Sequence, residues 1–546
     1  MEKSKIKNLL YLLVPLLFLV YSSPSALEYL FFFPDEKYYT DSVLQMMEKD
    51  DCLTPYQADG APRFKKPIVT YWVLMASYKL FGVSRISSRL FFWLAGAALV
   101  MITYFMALSV SRNKKLALTA AFITAANPLV LMSASRSIPD ILLVLFLTVS
   151  AWGFLEIMLR EKVLKKYYWM AYLGAALAFE TKGFPAAAFA GASMLFLLVN
   201  PWRRIKLRKI IDPLSMGVAV VIALSWFVAM YVLHGSEYWS LFFADQVGDR
   251  VSSKSVQVLK NTFLGVVNLL AFFLPWVLLF FSKPRQLKDF VQKQNHPHKA
   301  VFGFVLVWVV LILIMSGAVF KFYDRYLLPV VPLVSLVLAW VFVETQVLFK
   351  KTILNVLLVL NVIVILIGIT FSIFILTNGV LIAGIGVAIL LIGLYYLNIY
   401  RNISIEMYIA NAVALLYFNL FVLLFPLLTP NSGSQLVANL ENAGVTKNDE
   451  VFVYGNIRTA ASMRIYSNNE YNIIGMDAVY VLPQSKNHYL VFNQKEMALL
   501  DLSNYDVIEG SQEWKRISVD KSPAFLQEVI RGVKQKGSKY YIAKPK

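Results

Sequence analysis

Apolar residues run in stretches near twenty residues long, separated by short polar connections, from the N-terminus to about residue 429. Each run is long enough to cross a hydrocarbon core about 30 Å thick as a helix. The pattern predicts about thirteen membrane-spanning helices, at 9–30, 88–110, 116–133, 139–159, 167–181, 184–200, 212–233, 259–282, 301–316, 326–345, 352–376, 379–400 and 407–428. Beyond residue 430 the pattern changes. Short apolar runs at 451–454, 489–492 and 540–542 read as strands, with helical stretches near 434–442, 456–466 and 522–535. The expected fold is a polytopic α-helical membrane protein over 1–430, followed by a small extracytoplasmic α/β domain over 431–546.

Composition supports this reading. Of 546 residues 58% are hydrophobic and 16% charged, more apolar side chain than one water-soluble globule could bury. A soluble enzyme is thereby excluded. The net charge of +19 comes from 52 Lys and Arg against 33 Asp and Glu, and it points away from nucleic acid because it gathers in alternate connections. Arg112, Lys114 and Lys115 are followed by Arg160, Lys162, Lys165 and Lys166, then by Arg203, Arg204, Lys206, Arg208 and Lys209. Further cations stand at 283–299, at Lys350 and Lys351, and at Arg401. Cation-rich connections are cytoplasmic, so 34–87, 134–138, 182–183, 234–258, 317–325, 377–378 and the tail face outward. Cleavage of the first run at Ser23-Pro24-Ser25-Ala26, as in a signal peptide, would reverse that parity. The single cysteine, Cys52, excludes an intramolecular disulfide framework and a several-cysteine zinc site. The histidines form no cluster either: His296 and His298 fall in a cytoplasmic connection, and His234 and His488 are isolated.

The candidate chemistry lies in the outward connections. The first is long and opens Pro34-Asp35-Glu36-Lys37-Tyr38-Tyr39. An acidic pair after a proline suits the start of a helix, so capping competes with catalysis as its role. The segment from Asp35 to Lys49, with Val43, Met46 and Met47 among charges, reads as a short helix on the membrane surface. Farther on, Arg63-Phe64-Lys65-Lys66-Pro67 precedes Tyr71-Trp72, a membrane anchor or a cationic site for a lipid phosphate. Asp140 opens a transmembrane run one turn after Arg136, and a carboxylate at membrane depth is costly enough to suggest function. Glu180-Thr181-Lys182-Gly183 forms another charged outer boundary. Asp245, Gln246, Asp249, Arg250 and Lys254 lie in one later turn, and Lys321, Asp324, Arg325 and Tyr326 in another. A few acids beside several bases on one face suit a reaction with an anionic leaving group.

Taken together, Pro34-Asp35-Glu36, Lys66-Pro67, the Arg136-to-Asp140 spacing, Thr181-Lys182-Gly183 and Arg325-Tyr326-Leu327-Leu328-Pro329 resemble the GT-C membrane glycosyltransferases. The nearest likeness is to the bacterial aminoarabinose transferases of lipid A and their protein O-mannosyltransferase relatives, over roughly 9–345. The resemblance implies sugar transfer, with inversion, from a polyprenyl-phosphate donor to a lipid, glycan or protein acceptor at the outer face of the bacterial inner membrane. It implies Asp35 as the catalytic carboxylate and Asp140 as the second acid. Lys66, Lys182, Arg250, Lys321, Arg325 and Tyr326 would hold the donor phosphate, with Glu36, Lys37, Tyr39 and Arg136 in support. A divalent metal belongs to that branch, but Lys65 and Gln246 stand where it has its Glu and His ligands, and Tyr38 replaces an Arg. The competing class is a transporter or flippase of lipid-linked sugars. It would place its charges near the bilayer midplane, whereas these cluster at the ends of spans. An assembly protein without catalysis is the third possibility.

Overall fold

The computed structural model describes residues 2–27, 35–58, 60–244, 255–278, 294–344, 350–374, 405–425, 433–455, 457–476, 480–485, 487–512 and 539–546, with isolated residues between some of these stretches. Among the described residues, eight helices are long and apolar enough to cross a membrane. A ninth results if the pair Lys114–Ala125 and Pro128–Ala134, bent by 61°, counts as one span. The chain is a multi-pass membrane protein. The expected span at 379–400 lies largely outside the described residues, and the expected single run at 116–133 is the bent pair. The break has a local cause: Asn127 caps the backbone N–H of Leu129, and Pro128 fills the first helical position. The helix expected over 259–282 ends at Phe272.

The elements that position the outer-loop residues are α1 (Glu2–Leu27), α2 (Glu36–Glu48), α3 (Val69–Phe81), α4 (Leu90–Ser111), α5 (Lys114–Ala125), α6 (Pro128–Ala134), α7 (Pro139–Leu159), α8 (Lys165–Lys182), α9 (Phe184–Val199), the short α10 (Leu207–Ile210) and α11 (Pro213–Phe243). Polar caps and prolines set the starts. Asn113 caps α5 and Asp212 caps α11, while Pro139, Pro185 and Pro213 occupy first turns, where a missing N–H costs nothing.

Helices α7 and α8 form an antiparallel pair at very close range. A Cβ on Gly153 would stand 2.4 Å from the backbone nitrogen of Ala171, and one on Gly174 would stand 2.9 Å from the carbonyl oxygen of Phe146. Small residues let membrane helices approach this closely. The result is that the first turn of α7 faces the last turn of α8.

Helix α11 kinks at Gly235 (φ 64°, ψ −148°), a conformation that only glycine adopts without strain. The helix packs under the first loop on both sides of the kink. Trp226 donates to the carbonyl of Leu53 at 2.9 Å, His234 hydrogen-bonds Thr54 at 3.0 Å, and Phe64 packs edge-on against Tyr238. A Cβ at 235 would meet nothing within 4 Å, so Gly235→Ala should cost about 1–3 kcal/mol through the backbone alone. Thermal unfolding of the purified variant checks this, and an unchanged Tm would contradict it.

The surface helix expected over 35–49 forms as α2, but it does not lie on a membrane surface. Its Val43 and Met46 are in the main core, and Asp41 makes a buried 2.6 Å ion pair with Arg464 of the C-terminal domain. The apolar positions, read as facing lipid, instead face α3 and that domain.

The C-terminal domain is a small five-stranded sheet, order β2-β1-β3-β5-β4, with β1 (Glu450–Tyr454), β2 (Asn472–Met476), β3 (His488–Asn493), β4 (Tyr505–Gln512) and β5 (Lys539–Pro545). β1 pairs in parallel with β2 and β3, and β5 pairs antiparallel with β3 and β4. Helices Gly433–Asn442 and Ile457–Tyr466 pack on it. Strands β2 and β4 are additions to the sequence-based expectation: Asn472-Ile473-Ile474-Gly475 is too short and Asp506-Val507-Ile508-Glu509 too polar for an apolar run to reveal.

Candidate active site

Pro139 places Asp140 in the first turn of α7, where a carboxylate complements the positive end of the helix dipole. Lys182 sits in the last turn of α8, where a cation complements the negative end. The close pairing of the two helices joins them: Lys182 Nζ lies 2.5 Å from Asp140 Oδ1, with both side chains largely buried. Arg325, at the start of the 3₁₀ turn Asp324–Val330, comes from the other side. Its Nε is 3.6 Å from Asp140 Oδ2, and its Nη2 donates to Asp35 Oδ2 at 2.8 Å. One guanidinium therefore joins the two carboxylates that the sequence singles out.

Asp35 occupies the N-cap position of α2, yet its side chain makes no capping hydrogen bond. Capping is the role its sequence position suggested. The structure turns the carboxylate to Arg325 instead and leaves it 42% exposed, against 4% for Asp140. The Tyr326 ring lies 5.3 Å from Lys182 Nζ and 5.9 Å from the Arg325 guanidinium. Asp140, Lys182, Arg325 and Tyr326 form the polar end of a cavity of about 90 Å³ whose walls include Leu143, Phe189, Ile312, Met315 and Leu328. A charged end with an apolar throat is the shape of a site for a phosphate on a hydrocarbon chain.

Tyr39 faces the same cluster. Burial pushes its phenol well above the usual tyrosine range; Tyr71 and the carboxylates of Asp140 and Asp35 push the same way, and Arg63 opposes them. It is a neutral hydrogen-bond donor at physiological pH. Arg136, in the turn before α7, is pushed down to about 10, chiefly by burial, and Glu36, Tyr417 and Asp140 partly offset that. It stays cationic at neutral pH.

Glu36 is part of the frame. Its carboxylate accepts from Arg89 Nε at 2.9 Å and Nη2 at 2.7 Å, and from the backbone N–H of Ser137 at 3.0 Å, all buried. Arg89 also donates to the carbonyl of Ser25 at 2.9 Å. The start of α2, the start of α4, the end of α1 and the turn before Asp140 are thus tied at one point. Sequence reasoning missed Arg89. Its signal was a lone cation directly before the apolar run of α4, in Ser87-Ser88-Arg89-Leu90.

Other expected members fall elsewhere. Lys66 is buried in the loop before α3. Lys37 is buried with its ammonium 4.5 Å from the Tyr38 ring. Lys321 is exposed and stacks over Tyr323, away from the cavity wall. Arg250 and Gln246 lie outside the described residues. Glu180, read as a charged neighbour of Lys182, instead accepts from the backbone N–H of Trp226 at 3.3 Å.

Among the described residues no three His, Cys, Asp or Glu side chains converge, and Lys65 is an exposed cation where the resembled branch has a ligand.

The fold is similar to that of ArnT. In fold the likeness runs along nearly the whole chain, and in sequence along about three fifths of it. The crystal structure of apo ArnT from Cupriavidus metallidurans matches it with a TM-score of 0.69 over 94% of this chain and 98% of that one, at 16% identity. The same protein bound to undecaprenyl phosphate matches equally well, over 93% and 97%. Residues 65–231 match the family model described as dolichyl-phosphate-mannose-protein mannosyltransferase. In sequence, the undecaprenyl phosphate-alpha-4-amino-4-deoxy-L-arabinose arabinosyl transferase of Pectobacterium atrosepticum is 27% identical over 62% of this chain and 60% of its own length. An uncharacterized protein of Aquifex aeolicus is 28% identical over 61% and 63%. The matches thus span about three fifths of these curated relatives.

Proposed function

We propose that this protein is a polyprenyl-phosphate-dependent glycosyltransferase that moves a sugar from an undecaprenyl-phosphate donor to a cell-envelope acceptor such as lipid A, another glycan or a protein. The reaction takes place at the outer, periplasmic face of the bacterial inner membrane, where the cation-poor connections and the C-terminal domain lie. The observation that carries this reading is the Asp35–Arg325–Asp140–Lys182 chain at the mouth of an apolar-walled cavity.

The donor's hydrocarbon chain lies along the apolar wall and brings its phosphate to Lys182, Arg325 and Tyr326. The acceptor nucleophile approaches Asp35, the more exposed carboxylate. Its oxygen bonds to the anomeric carbon from the face opposite the phosphate, and its proton passes to Asp35. The bond from the anomeric carbon to the phosphate oxygen breaks with its electron pair going to the phosphate, so the configuration inverts. The new negative charge develops against Lys182 and Arg325, where fixed cations in a dry site stabilise it most. Asp140 holds both cations in place before the donor arrives.

The test is release of polyprenyl phosphate from a panel of polyprenyl-phosphate sugars, with purified protein and a membrane extract as acceptor source. Release with one donor is the expected outcome and identifies the sugar. No release with any donor from folded protein would remove the proposal.

A further inference from the structure

At the opposite end of α7 and α8 from Asp140, about 30 Å away for a 21-residue helix, the connection 200–212 forms a second feature that sugar transfer does not use. It encloses a concavity of about 650 Å³ lined by Arg203, Arg204, Lys206, Arg208 and Lys209, with Glu161 as its one carboxylate. Cations in such a connection need only set topology, and for that a loose loop suffices. This one is fixed. Asn200, fully buried, accepts from the N–H of Trp202 at 2.9 Å, and the N–H of Ile205 donates to the carbonyl of Leu197 at 3.0 Å. Tyr168 donates to the carbonyl of Lys209 at 2.8 Å and Tyr172 to that of Ile210 at 2.5 Å, while Ile205 and Ile210 are buried beneath.

Lys209 is tied to the carbonyl of Arg160. Burial and the nearby Arg203 lower its pKa, with Glu161 opposing. Arg203, Arg204, Lys206 and Arg208 make no ion pair among the described residues. Four like charges held around one concavity repel one another unless an anion joins them. The surroundings say which kind of anion. Leu195 and Val199 at the end of α9 and Leu214 at the start of α11, the helices that this connection joins, are exposed at 58% or more, and Trp202 within the connection is partly exposed. Exposed apolar side chains on the helices that lead into and out of a cation-lined concavity, with a tryptophan in the connection, suit a phospholipid and not a soluble phosphate.

We propose that this concavity is a binding site for the phosphate headgroup of an anionic phospholipid, with its acyl chains against α9 and α11. The site holds the α7–α8 and α9–α11 connections together from the membrane side.

The experiment uses the full chain in mixed micelles containing equal amounts of phosphatidylglycerol and phosphatidylcholine, with retained lipid read by native mass spectrometry. The wild type should retain phosphatidylglycerol in clear preference. Arg204→Gln combined with Lys206→Gln and Arg208→Gln, all at exposed positions whose loss leaves the core intact, should lower that preference about tenfold or more. Arg204→Gln alone should give an intermediate ratio. Equal retention of the two lipids by the wild type, or a preference unchanged in the triple variant, would overturn the proposal. So would displacement of the lipid by millimolar inorganic phosphate, because that outcome assigns the site to a soluble anion.

Discussion

Asp35→Asn should leave a protein that folds, inserts and binds donor but turns over roughly 10²–10⁴-fold more slowly, the usual contribution of a positioned general base. Asp35 caps no helix, since its side chain makes no bond to the N–H groups of α2. Among the described residues its one ion pair is to Arg325, at a carboxylate 42% open to solvent. An asparagine keeps the shape and can still accept from that guanidinium, so the local frame has no reason to collapse. What it cannot do is take the acceptor's proton. The loss should therefore fall on kcat, with the KM for donor little changed, because the groups proposed to hold the phosphate are untouched. Polyprenyl phosphate release by matched amounts of wild type and variant gives the ratio, and a Tm within the error of wild type shows that the comparison is fair. Turnover equal to wild type in a folded Asp35→Asn protein would take this carboxylate out of the mechanism.

Much of this site was legible because membrane burial makes charge expensive. Asp140 was recognisable since an ionised carboxylate opening an apolar helix needs a partner, and Lys182 and Arg325 stood out as cations at other helix ends. Sequence could not tell which cation answered which acid. Lys182 reads equally well as the partner of Glu180, two residues before it, and only the close approach at Gly153 and Gly174 turns it to Asp140. The same limit explains α2. Its amphipathic pattern was visible, but an apolar face looks alike whether lipid, a neighbouring helix or a folded domain covers it, and the Asp41–Arg464 pair spans more than 400 positions. Strands β2 and β4 lacked an apolar run because one is short and the other partly open to solvent.

The largest expected loss of stability is at Arg89, and it separates framework from chemistry. Arg89 and Glu36 are 0% and 1% exposed, and the pair is joined by two nearly parallel hydrogen bonds. Removing one partner from such a pair leaves a buried charge uncompensated and costs about 3–5 kcal/mol. Arg89→Met does this to Glu36, whose remaining donors are the backbone and hydroxyl of Ser137. It also frees the carbonyl of Ser25 at the end of α1. The variant should melt well below wild type, and its residual activity should track the folded fraction. Adding Glu36→Gln removes the stranded charge, so Arg89→Met with Glu36→Gln should regain a large part of the lost Tm, as neutral replacements of buried pairs do. Turnover should return with it in part, because Glu36 holds the start of α2 and through it Asp35, and a glutamine can still accept from Ser137. A double variant no more stable than Arg89→Met would mean that the cost lies in packing around the arginine stem rather than in the charge left behind. A single variant as stable as wild type would show that the start of α2 is held to α4 by something other than this pair.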